Sequence, residues 1–341
     1  LLIPVAIGIA GKAGKTKEKS DQYALALLLG IGAAAAIGGM ATIVGTSANA
    51  ISSQFIAEKL GAEEWTFLSW MRMGLPLALL LLVLSWRILI RLYPVAKERI
   101  DISWVQVELD KMGKMDSSEK KVLTILGGTI VFWIVGGEIV RLISSVLPTP
   151  FTPGAFANAA IVSVIAAILL FATRTLDWED ARLVPWGIFL IIGAGLALGE
   201  GLGAAGFNDW LSGGINAIAG PLISGVLGAF LFLVMMAFVV VLMSNFLNNT
   251  ATVAFFVPFM IALADSISPN EVVLVKILAL PVALTAAIAF MTPVAHPPST
   301  LIYGSGMVSK KEMFKSGLAI TVPSVLIAVL WLYVIINLGW L

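Results

Sequence analysis

Residues 220–264 contain not one acidic or basic side chain. No other stretch constrains the fold as tightly. A membrane-spanning helix needs about 20 apolar residues, so this run is too long for one span. It also carries its own interruption, Ser244-Asn245-Phe246-Leu247-Asn248-Asn249-Thr250-Ala251-Thr252, at its middle. Two apolar arms around a polar centre describe a hairpin.

The whole chain has the same character. Of 341 residues, 59% are hydrophobic and 12% are charged, against about 25% charged in an average soluble domain. One soluble core cannot hide that much apolar surface. Net charge is +1 with no separate basic stripe, which excludes nucleic acid as a partner and excludes disorder. With no cysteine and one histidine, disulfides, thiolate sites and multi-histidine metal centres are excluded as well. What remains is an integral, multi-pass protein of the lipid bilayer. Its apolar runs are continuous rather than alternating, so they are helices and not barrel strands. The length allows at most about ten spans. Residue 1 is leucine and 1–10 is already apolar, so the chain is expected to be a fragment that begins inside a hydrophobic element.

Apolar segments lie at 23–44, 50–57, 66–92, 122–146, 156–173, 184–198, 220–264, 271–291, 299–308 and 317–341. All but four of the 21 Lys and Arg fall in four clusters: Lys12 to Lys19, Arg87 to Lys121, Arg174 with Arg182, and Lys310 to Lys315. The positive-inside rule places these clusters in the cytoplasm, and the prokaryotic plasma membrane is the expected location. Residues 23–57 then cross outward and 66–92 returns; 122–146 and 156–173 form a second pair; 184–198 goes out, and 271–308 comes back to Lys310. Residues 200–270 must therefore begin and end outside, so the 220–264 hairpin enters and leaves by one face. Such a re-entrant hairpin must be buried in protein, and it belongs to transporters and channels. The polar stretch 93–121 reads as a helix on the cytoplasmic surface or as a solvated loop.

Two other apolar spans are interrupted. Gly45-Thr46-Ser47-Ala48-Asn49 breaks the first, and Thr292-Pro293-Val294-Ala295-His296-Pro297-Pro298-Ser299 breaks another. Pro297 and Pro298 cannot continue a helix, and a residue before proline is pushed out of the helical region. Unwound backbone at that depth offers carbonyls to cations and helix N-termini to anions. The two breaks also align with each other. Ala35-Ala36-Ile37-Gly38-Gly39-Met40 matches Ala286-Ala287-Ile288-Ala289-Phe290-Met291, and Thr46 to Ile51 matches His296 to Leu301. By the charge rule the first runs outward and the second inward. That is an inverted repeat, the arrangement of secondary transporters. The same register sets Leu1 to Pro4 against Phe255 to Pro258, so the first hairpin's tip is expected upstream of residue 1.

At these residues the chain resembles the divalent anion–sodium symporters, the sodium-coupled dicarboxylate and sulfate carriers. That family has a Ser-Asn-Thr tip on each of two re-entrant hairpins and a broken helix after each. Asn248-Asn249-Thr250 looks like the second tip, with Asn248 in place of serine. Gly45 to Asn49 looks like the first break. Ala295 to Ser299 looks like the second, with His296 where threonine is usual. The resemblance implies an all-α fold of two inverted repeats with re-entrant hairpins and broken helices, the first repeat truncated. It implies that Asn249, Thr250, Thr46, Ser47, His296 and Pro297 bind substrate. It places sodium at Ser244, Leu247, Asn249 and Ala295, with Gly45 in a second sodium site. It implies a homodimer and an elevator motion. Residues 1–65 (end of the first hairpin and broken helix) and 184–316 (span, second hairpin and second break) would form the moving domain. Residues 66–121, 122–183 and 317–341 would supply scaffold spans and the cytoplasmic segment.

The implied activity is sodium-coupled transport of a divalent anion: a C4-dicarboxylate such as succinate, malate or fumarate, or sulfate. Neutral Asn, Thr and carbonyl groups suit a hard cation, whereas proton relays use carboxylates or histidines, and no carboxylate lies near the three motifs. No nucleophile–base pair or metal-binding helix motif marks an enzyme. A sodium-independent exchanger, an arsenite or citrate carrier of the same superfamily, and a non-transporting structural subunit stay open. So does the role of His296, which can cap broken-helix carbonyls, touch substrate or sense pH.

Overall fold

The computed structural model describes residues 6–9, 17–61, 65–94, 110–111, 113–146, 159–182, 226–268 and 271–340, with scattered positions between 186 and 214. The expected span 184–198, most of the 93–121 segment and the Leu1–Pro4 arm of the alignment lie largely or wholly outside these residues. Among the described residues the chain is all-helical. The main helices are α1 (Lys17–Gly39), α2 (Ser47–Leu60), α3 (Phe67–Leu92), α4 (Ser117–Val146), α5 (Ala159–Ala172), α6 (Trp178–Arg182), α7 (Val226–Leu247), α8 (Asn249–Ile267), α9 (Val272–Thr285), α10 (Pro297–Gly304) and α11 (Lys310–Asn337). Short 3-10 turns lie at Ile43–Gly45 and Ala286–Ile288. Among the described residues five helices are long and apolar enough to cross a membrane, as befits an integral membrane protein.

The described part of the uncharged run, from Val226 on, resolves into α7 and α8, which pack on each other with the single residue Asn248 between them. The polar centre of that run is where the chain turns. The span expected at 271–291 unwinds after Ile288, and helix resumes only at Pro297. Helix ends also shift from the hydropathy bounds. The segment expected at 50–57 is the longer α2, and α11 begins at Lys310 rather than 317. Its start is fixed by a capping box, in which the Glu312 N–H donates to Ser309 Oγ and the Ser309 N–H to Glu312 Oε2. Polarity marks where a helix leaves the lipid, not where its hydrogen bonds end.

One core joins the broken spans to their neighbours. α8 packs on α9, α2 and α7, α1 packs on α3 and α10, and α11 packs on α9, α7 and α3. Trp331 Nε1 donates to Met73 O at 3.0 Å, tying α11 to α3. At the end of α3, Tyr93 Oη donates to Glu312 O at 3.4 Å. Burial, then the Glu312 charge, hold that phenol above its ordinary pKa. The resemblance put spans 66–92 and 317–341 in a scaffold. As α3 and α11, these spans bury side chains against the broken spans. Hydropathy shows that a helix crosses the bilayer but not what it packs against. In lipid, association rests on close packing and hydrogen bonds, not on water exclusion. α4 and α5 differ: they pack on each other, touch the rest mainly through α3, and leave Leu123, Leu126, Val164 and Ile168 exposed.

Candidate functional site

The three polar motifs start three helices, and each start is capped by a side chain. Thr46 is extended (φ −145°, ψ 152°), and its Oγ1 accepts the Asn49 N–H at 3.1 Å, opening α2. Asn248 Oδ1 accepts the Ala251 N–H at 3.0 Å, opening α8. His296 is extended, and its Nδ1 accepts the Ser299 N–H at 3.4 Å, opening α10. Thus His296 caps amides and not carbonyls, because it stands at a helix start. Pro297 and Pro298 occupy the first helical positions, where an N–H has no partner to lose. They begin the new helix, and the discontinuity lies upstream of them.

These helix starts meet. Ser47 Oγ and Thr250 Oγ1 lie 2.8 Å apart, although 203 positions separate them in the chain. The Asn249 N–H donates to Ala295 O at 3.3 Å, which brings α8 against the last turn before α10. α2 and α8 run side by side in the same direction. Their far ends are joined by Lys59 Nζ and Asp265 Oδ2 at 2.7 Å. Parallel helices starting at one place bring their positive dipole ends there together. Free N–H groups and hydroxyls at such a place suit an anion.

Beside this junction is a cluster of neutral polar groups. With its nitrogen toward them, the Asn249 amide donates to Ser244 Oγ (2.6 Å), Ala286 O (2.9 Å) and Ala295 O (3.0 Å). Ser244 Oγ also donates to Ala286 O at 2.9 Å. Turned about its terminal bond, the same amide presents oxygen, and the cluster becomes an all-oxygen set. Such a set fits sodium, a hard cation that takes oxygen ligands. Among the described residues no group of three or more His, Asp or Glu could hold a metal ion.

The remaining expected residues are distributed as follows. Gly45 folds back onto the end of α1, where a Cβ would overlap Gly39 O. Leu247 ends α7 with its side chain exposed, so its backbone is what it can offer. His296 is buried, its ring edge-on to Phe290, and its Nε2 has no hydrogen-bond partner.

Three residues escaped the sequence reading. Asn49 Nδ2 donates to Gly39 O and Thr42 O, both at 2.8 Å, so this buried amide holds the first break in shape. At the second break that task falls to Asn245 of α7. Its Oδ1 accepts the Met291 N–H at 3.0 Å, and its carbonyl accepts from Thr292 Oγ1. Both asparagines stood inside the polar motifs, which was their only signal. Ala286 contributes a carbonyl, for which side-chain chemistry gives no signal.

Residues 1–341 match the family described as the sodium:sulfate symporter transmembrane region. The chain belongs to that family. Among similar proteins are the sodium-dependent dicarboxylate transporter SdcS of Staphylococcus saprophyticus and an uncharacterized transporter of Haemophilus influenzae. The first is 29% identical over 354 residues, covering 98% of this chain and 64% of that protein. The second is 30% identical over 332 residues, covering 96% and 66%. The SdcS of Staphylococcus aureus is 27% identical over 358 residues. The chain thus spans 64% of the length of the first of these relatives. Within the symporter family's matched region lie all three capped helix starts described above.

Proposed function

We propose that this chain is the larger part of a secondary transporter that carries a divalent anion together with sodium. The anion would be a C4-dicarboxylate such as succinate, malate or fumarate, or sulfate. The observation that carries this reading is the convergence of three capped helix N-termini beside a cluster of neutral oxygens. The comparisons support it through the family's description and the names of the relatives.

In this reading Asn249, Thr250, Thr46, Ser47, His296 and Pro297 surround the anion. Ser47 and Thr250 turn their hydroxyls from each other to its oxygens. Sodium sits among Ser244, Leu247, Asn249 and Ala295, joined by Ala286, and Gly45 contributes to a second sodium site. No lysine or arginine stands among these residues to compensate the dianion. The helix ends and the bound sodium supply the positive charge, which makes anion binding depend on sodium. Asn249 lies in both sets of residues, so ordering it by sodium prepares the anion site.

Alternating access would be an elevator motion. The moving body contains the broken spans and the α7–α8 tip, with α3 and α11 attached by their packing. The α4–α5 pair belongs to the surrounding scaffold, its apolar face available to lipid or to a second copy in a homodimer. The Lys/Arg-rich loops face the cytoplasm.

The test is uptake of labelled succinate and labelled sulfate by the whole carrier in proteoliposomes, with and without an inward sodium gradient. Uptake that needs the gradient is expected. Equal uptake without sodium would overturn the coupling and favour an exchanger.

A further inference from the structure

The two breaks are each backed by the helix that follows, and the contacts match. Gly74 is the eighth residue of α3, and Gly317 is the eighth of α11. A Cβ on Gly74 would lie 2.6 Å from Met40 O. A Cβ on Gly317 would overlap Phe290 O and lie 2.7 Å from Met291 N. In the alignment of the repeats Met40 stands opposite Met291, so both glycines press on the same place in their own break. Neither contact tolerates a side chain, since a real Cβ does not approach a backbone atom so closely.

Each glycine has a hydrogen-bond donor one turn away on its own helix. Trp70 Nε1 donates to Met40 O at 3.0 Å. Thr321 Oγ1 donates to Ile288 O at 2.8 Å. Both side chains are buried. An unwound segment inside a membrane protein has carbonyls without helical partners, and each needs a donor. Glycine lets the backbones meet, and the donor four residues away satisfies an exposed carbonyl. Ile288 closes the turn that begins with Ala286, whose carbonyl belongs to the oxygen cluster.

We infer that Gly74 with Trp70, and Gly317 with Thr321, are positioning residues that set the shape of the first and second break independently. None of them is among the residues proposed above to hold the anion or the ion. For transport, this inference rests on the sodium-coupled reading above; for the shape of the breaks it stands alone. Each pair acts through the carbonyls it holds, so a change at one pair disturbs its own break and leaves the other intact.

The test uses two thiol reporters. This stretch has no cysteine, so Val44→Cys in the first break and Val294→Cys in the second can each report alone in a carrier cleared of other cysteines. Both positions are exposed. Gly317→Ala and the near-isosteric Thr321→Val should change the labelling rate at position 294, by about tenfold for the glycine variant, and leave position 44 unchanged. Gly74→Ala and Trp70→Phe should do the reverse. Gly128→Ala on α4, where a Cβ meets open space, should change neither. In sodium-driven uptake, Gly317→Ala and Thr321→Val should raise the sodium concentration for half-maximal rate, with the rate at saturating sodium within about twofold. A glycine or donor variant that moves both reporters together, or neither, would overturn the inference, because that is what loss of general stability or an inert contact produces. Local reporter shifts in a carrier whose uptake ignores sodium would leave the inference standing and defeat the functional reading.

Discussion

Ser47 and Thr250 stand in the first turns of two parallel helices, 203 positions apart in the chain, and their hydroxyls share a hydrogen bond of 2.8 Å. In the proposed site an anion would take both hydroxyls from each other. Alanine at either position should therefore cost anion affinity more than stability. A hydrogen bond to a charged group contributes about 1.5–3 kcal/mol, so Ser47→Ala or Thr250→Ala should raise the anion KM roughly tenfold to a hundredfold. Initial uptake rates across an anion series at saturating sodium would show it.

Asn249 is the one side chain in both the proposed anion set and the proposed sodium set. Asn249→Ala should abolish sodium-dependent uptake while the protein still purifies as a folded species. The measurement is sodium-driven succinate uptake by the whole carrier. Retention of the wild-type rate would remove Asn249, and the oxygen cluster with it, from the mechanism.

Asn248 has φ 80° and ψ 161°, a backbone region that favours glycine, while its side chain caps α8. Strain and cap oppose each other here. Asn248→Ala keeps the strain and loses the cap, and should lower stability by about 1–2 kcal/mol. Asn248→Gly loses the cap but relieves the strain, so its melting temperature in detergent should lie closer to wild type than that of the alanine variant.

His296 caps α10 through Nδ1, and its buried Nε2 has no hydrogen-bond partner; the proposed function gives that nitrogen to the anion. His296→Ala should lose about 1 kcal/mol of stability with the cap, whereas His296→Asn keeps a cap and the stability. Both should raise the anion KM. An asparagine variant with wild-type KM would reduce His296 to a cap.

Lys59 and Asp265 pair at the far ends of α2 and α8, both partly exposed. Their coupling in a double-mutant cycle should be small, about 0.2–1 kcal/mol, and should shrink as salt rises. A coupling well above that range, insensitive to salt, would mean that the pair clamps the two helices in earnest.

Much of the candidate site's geometry was legible because lipid punishes polar sequence. Asn248, Asn249 and Thr250 stand out in an uncharged run, and Pro297-Pro298 marks a helix start that polarity alone would miss. His296 was harder. Its neighbours in sequence announce a break, but only coordinates show that Nδ1 faces the Ser299 amide. Asn49 and Asn245 were visible as polar residues without a visible purpose, since each bonds backbone atoms that have no chemical signature. Gly74 and Gly317 were not legible at all, because a glycine in a membrane helix reads the same against lipid and against a carbonyl.

A helical membrane protein, a polar turn inside the uncharged run and two interrupted spans could be read from the sequence alone. Those follow from local physics: an unpaired backbone group or a charge in hydrocarbon is costly wherever the chain goes next. The pairing of Ser47 with Thr250, the grouping of Ala286 with Ser244, Asn249 and Ala295, and the seat of α3 and α11 against the breaks came from the folded chain. Those contacts depend on packing between segments far apart in sequence, and in lipid, packing is governed by shape and backbone hydrogen bonds that composition does not record.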